Sequence, residues 1–153
     1  MKPGAALAIA ILCLALHVDG ETPQSLLLDP FAQATSGYEG CPAASPPVLD
    51  EQQLRSQAHS RAERGTSCCL AGTCECGGAY KHDAEINERV VEAIRADKRF
   101  YDTAVWVTTT RGFVSLQGCV RSLAQKNTLG RVVKHQAGVA LVWNEVTTRR
   151  PVK

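Results

Sequence analysis

No stretch of this 153-residue chain approaches the roughly 20 consecutive apolar residues that a membrane-spanning helix needs, and its longest apolar run, Ala5 to Leu16, is too short to cross a bilayer. Other absences narrow the chemistry. The sequence holds no phosphate loop, no His-Glu-x2-His pair, no paired-carboxylate pattern and no Cys-x2-Cys-His haem-attachment motif. His59, His82 and His135 stand outside any nucleophile motif. The net charge is only +2 and no nucleic-acid recognition motif is present, which argues against a nucleic-acid partner. These gaps lead to the expectation of a non-catalytic protein, with no cofactor and no metal assigned.

What is present begins with an export signal. Lys2, the apolar run and then Val18-Asp19-Gly20 have the order of a secretion signal, and cleavage is expected after Gly20. Cys13 lies inside the apolar run and follows Leu12 rather than a small residue, so lipid attachment is not expected. Residues 21–49 carry Pro23, Pro30, Pro42, Pro46 and Pro47 without sustained periodicity, and read as an extended, flexible leader. Asp50, with Gln53 three residues on, predicts a capped helix to Arg64 whose thin inner stripe of Leu54, Ala58 and Ala62 needs another surface to lean on.

Six cysteines follow the signal: Cys41, Cys68, Cys69, Cys74, Cys76 and Cys119. An even number in an exported chain favours disulfides, although spacing alone does not choose the pairing. Neighbouring Cys68 and Cys69 should pair with different partners. Four thiolates between Cys68 and Cys76 could instead surround zinc, but the spacing Cys-Cys-x4-Cys-x-Cys lacks the paired Cys-x2-Cys of such sites. Free, exchange-active thiols at Cys74 and Cys76 are the third reading, and the only enzymatic one the residues suggest.

The second half of the chain is the most regular. Val105, Val107 and Thr109 lead into Arg111-Gly112, and Val114, Leu116, Gly118 and Val120 lead out, an alternation that predicts a β-hairpin with one buried face. Asp83 is a plausible N-cap for a helix to about Asp97 with Ile86, Val90, Ala93 and Ile94 inward. Ser122 and Gln125 start a second helix, with Leu129, Val132, Val133 and Gln136 inward and a stop at Gly138. A third strand is expected from Val139 to about Thr147.

This pattern resembles the BON domain, named for bacterial OsmY and nodulation proteins. The resemblance rests on Asp83-x2-Ile86-x3-Val90, Val105-x-Val107, Gly112-x-Val114-x-Leu116-x-Gly118-x-Val120 and Gly138-Val139-x2-Val142-x-Asn144. It implies an α+β module over residues 82–148, in αββαβ order, with a three-stranded sheet packed on two helices. A cysteine-rich segment, residues 50–80, precedes it, and a basic tail, 149–153, follows. The resemblance also implies a periplasmic protein of the Gram-negative envelope, linked to osmotic or envelope stress and to phospholipid binding. Two residues depart from the pattern: Thr109 stands where an aliphatic residue is usual, and Gln136 is polar on an inner stripe.

Strand alternation puts Trp106, Phe113, Cys119, Leu141 and Trp143 on the sheet face away from the helices, where aromatic side chains could meet a lipid head-group layer. Alternatively, residues 50–80 cover that face, stapled there by a disulfide between Cys119 and the N-terminal extension. Arg121, Lys126, Arg131 and Lys134 are expected on the polar side of the second helix, and residues 82–153 hold twelve basic against seven acidic side chains. The expected partner is therefore an anionic phospholipid surface. An envelope protein or the cell wall, held by the aromatic face, is the alternative.

Overall fold

The computed structural model describes residues 26–27, 29–63, 66–73, 76 and 78–148. The expected signal peptide, Cys13, Cys74 and the basic tail lie outside them. In chain order the elements are β1 (Leu26–Leu27), β2 (Phe31–Ser36), β3 (Val48–Leu49), α1 (Glu51–Glu63), α2 (Thr66–Leu70), α3 (Asp83–Ala96), a 3₁₀ turn (Lys98–Phe100), β4 (Ala104–Thr110), β5 (Phe113–Cys119), α4 (Leu123–Lys134) and β6 (Leu141–Asn144).

The hairpin is formed by β4 and β5, antiparallel from Ala104 opposite Cys119 to Thr110 opposite Phe113. Arg111 and Gly112 both take left-handed backbone angles, φ 57° and 73°, as a two-residue hairpin turn of the favoured twist requires. β6 lies parallel to β5, reached through α4, so the αββαβ order holds. Val90, Ile94, Phe100, Val105, Val107, Val114, Leu116, Val120, Leu129, Val133 and Val146 are fully shielded between the sheet and the two helices. The alternation places them there, and their burial is the main stabilising term.

The sheet has four strands, in the order β2-β4-β5-β6. The fourth comes from within the segment expected to be a flexible leader, which is a correction. β2 carries only small or polar residues beyond Phe31, so no periodic signal betrays it. Its fixation comes from distant groups: Asn87 of α3 donates to the Pro30 carbonyl, and Arg95 donates to the carbonyls of Gln33 and Ala34. Where the register slips between Gln33 and Thr35, the Thr35 hydroxyl accepts from the Val105 N–H. That bond satisfies a donor the bulge would otherwise orphan.

The helix caps follow the sequence with one exception. Asp50 and Gln53 bond reciprocally, each side chain accepting from the other's backbone N–H at 3.0 and 2.7 Å. Ser122 accepts from the Gln125 N–H. Asp83, however, is the first residue of α3 and not its cap. Its buried carboxylate accepts from the backbone N–H groups of Arg111 and Gly112 at 2.6 and 2.7 Å, pinning the hairpin turn to the helix start. α4 stops at Lys134, four residues before Gly138, and β6 is shorter than expected, with only an isolated bridge from Cys119 to Thr147 continuing it.

Candidate binding surface

The helix-free face of the sheet is divided in two. On one half the leader returns across it: Tyr38, Ala104, Trp106 and Cys119 form a second buried cluster, with Phe31, Cys41 and Ala44 packed against it. A disulfide joins Cys41 to Cys119 across 78 residues. Gly37 permits the approach, because a Cβ there would lie 1.8 Å from the Tyr101 carbonyl oxygen. Arg121 completes the seam. Its guanidinium lies 3.7 Å from the Tyr38 ring centroid and donates to the carbonyls of Asp102 and Gly37.

Cys119 is therefore stapled to the N-terminal extension, as its position predicts, but by Cys41 of the leader. Residues 50–80 are not the cover. α1 is instead tied by Arg61, which forms a two-pronged ion pair with Asp29 at 2.9 and 3.1 Å and stacks on Tyr80. That hydrogen-bonded pair holds the Arg61 guanidinium protonated beyond its ordinary range. Cys69 is bonded to Cys76, and Cys68 is also in a disulfide. Disulfides replace the zinc reading for these residues, and among the described residues no group of three His, Cys, Asp or Glu side chains could hold a metal ion.

The other half of the face is open. Trp143 is 56% exposed and Leu141 42%, whereas Trp106 is only 9% exposed. Phe113 is half-buried beside Trp143, their ring centroids 6.0 Å apart and tilted by 51°. β6 is the outer strand here, so the patch runs to the sheet's edge. Around that edge, Lys134 donates to the Ala140 carbonyl at the start of β6, and exposed Arg131 sits one turn earlier on α4. Lys126 is turned inward, its Nζ donating to the Val146 carbonyl at 2.9 Å.

Of the eight expected surface residues, Phe113, Leu141, Trp143, Arg131 and Lys134 thus share one edge of the domain. Trp106, Arg121 and Lys126 are occupied in packing. Two arginines that sequence reasoning passed over, Arg89 and Arg111, line a cleft of about 330 Å³ between the start of α3, the hairpin turn and the loop before β6. The only hint of them in the sequence is an arginine in place of asparagine or aspartate before the turn glycine.

Among the described residues no helix is long and apolar enough to cross a membrane. A protein-family model, the BON domain, matches residues 82–150. No curated protein and no solved structure matches the chain.

Proposed function

We infer that residues 82–150, which the BON family model matches, form a BON domain, of a family whose members are generally non-catalytic, envelope-associated and of phospholipid-binding type. From that premise we propose that this chain is a periplasmic protein, exported and cleaved after Gly20, whose BON domain docks on anionic phospholipid during envelope or osmotic stress. The observation that carries the reading is the patch of exposed Leu141 and Trp143 with half-buried Phe113, on the half of the sheet that the leader leaves open. Tryptophan suits the boundary between head groups and acyl chains. Lys134 and Arg131 at the adjoining edge supply about 1 kcal/mol each of attraction to an anionic surface, screened by salt.

Flotation with vesicles tests this. Binding to phosphatidylglycerol vesicles that weakens with salt and with Trp143→Ser, and no binding to phosphatidylcholine, supports it. Absence of binding to either kind of vesicle rejects it. The second reading, a protein or cell-wall partner, is favoured by one observation: β6 is an outer strand carrying this patch, a position where a partner strand can add.

A further inference from the structure

We propose that the cleft between Arg89 and Arg111 is a binding site for a phosphate-bearing anion. Arg111 stands at the apex of the hairpin, held in place by its own backbone: its N–H is bonded to Asp83 and its φ is fixed by the turn. Its guanidinium makes no hydrogen bond or ion pair among the described residues. The Nε in particular is buried and without a partner. Buried charged donors are nearly always satisfied, and the guanidinium that carries this one belongs to a residue lining the cleft, which points to an absent acceptor.

Arg89 stands across the cleft on α3, and one of its amino groups donates to the Ala137 carbonyl at 2.7 Å. That bond orients the guanidinium and leaves most of its five donors uncommitted. Two arginines lining one opening suit a tetrahedral oxyanion, to which a planar guanidinium fork can donate twice. Among the described residues, Glu85 is the single carboxylate lining the cleft, and it lies beside the His82 imidazole, 3.5 Å away. The turn amides are already taken by Asp83, so recognition falls to the two arginines.

Arg111 links the cleft to the open patch. The Arg111 guanidinium lies 6.0 Å from the Phe113 ring centroid, and Phe113 leads on to Trp143. A phosphate held between the arginines would have an apolar shelf beside it, as a phospholipid head group needs; a phosphate group on a soluble molecule would use the arginines alone. The head-group case rests on the membrane reading above, and the phosphate site itself does not.

The test uses the full oxidised chain after Gly20 and two probes, inorganic phosphate followed by NMR and phosphatidylglycerol vesicles followed by flotation. Saturable shifts of the Arg111 Nε–H and the Gly138 amide with phosphate are expected. Arg111→Gln and Arg89→Gln should each weaken phosphate binding about tenfold or more, with the amide of the fully buried core residue Leu116 unmoved as the check of fold. If both variants also lose vesicle binding, the ligand is the head group. If phosphate binds but the native chain floats with no vesicle, the site stands and takes a soluble phosphate compound, and the membrane reading falls. If phosphate shifts neither resonance, and both variants float as well as the native chain while Trp143→Ser does not, the site is overturned and the membrane reading survives.

Discussion

A threonine in the buried row of a valine-rich strand must find a partner for its hydroxyl, and Asn87 supplies it. The Asn87 amide donates to Thr109 Oγ1 at 3.1 Å and, at 3.2 Å each, to the carbonyls of Val107 and Pro30. The departure from the family pattern at Thr109 is therefore one half of a polar pair that also holds the start of β2. The amide has two hydrogens for three acceptors, so Thr109→Val should cost less than about 1 kcal/mol, whereas Asn87→Leu, which strands buried acceptors, should cost about 2 kcal/mol or more. Urea unfolding separates the two, and equal losses would refute the assignment. Leu116, with no exposed surface, should lose about 2 to 5 kcal/mol on replacement by alanine, and half-buried Gln117 little.

Asp97 offers a residue-scale pH effect. Hydrogen bonds from the Arg99 side chain, and then from its backbone N–H, hold the Asp97 carboxyl below its usual range. A carboxyl lowered in the folded state favours folding above the unfolded value of about 4, and that contribution disappears as pH falls through the lowered value. An NMR titration of the Asp97 carboxyl carbon should therefore show a midpoint below that of a model peptide. Arg99→Ala should return it toward normal.

At the scale of elements, what could be read in the sequence was what pairs locally. β4 and β5 alternate in phase about a two-residue turn, and α3 and α4 carry apolar residues at helical spacing, so their types and inner faces follow from neighbours a few positions away. β2 could not be read. Its inward residues are Ala32 and Ala34, and its partners lie some seventy positions on. The role of Asp83 was hidden similarly, since capping a helix and bonding a distant turn need the same residue type. The clearest consequence is the clasp made by Cys41 and Cys119. By the chain-entropy estimate, closing a loop of this length stabilises by roughly 4 to 5 kcal/mol. Reduction should lower the melting temperature and make Trp106 accessible to iodide, while Trp143 is quenched in both states. A quenching curve unchanged by reductant would show that packing holds the leader without the bond.

At the scale of the whole molecule, the charge imbalance takes a specific form. Residues 21–81 carry seven acidic and four basic side chains, residues 82–153 twelve basic and seven acidic. Attraction between the halves would be expected to run through ion pairs. The seam is instead made by Arg95 and Arg121 donating to leader carbonyls and, for Arg121, stacking on Tyr38. These are short-range contacts that salt screens weakly, and they join the leader to the matched region as one folding unit. A chain starting at residue 82 would bare β4 as an open edge, leave Cys119 as a free thiol and expose Trp106 and Ala104. It should melt at lower temperature than a chain starting at residue 29, bind a hydrophobic dye and form Cys119-linked dimers. The longer piece should match the full protein in Trp106 protection. Equal melting temperatures and equal iodide protection of Trp106 in the two pieces would show that the BON region folds independently of its leader, and that the leader is only laid over a finished domain.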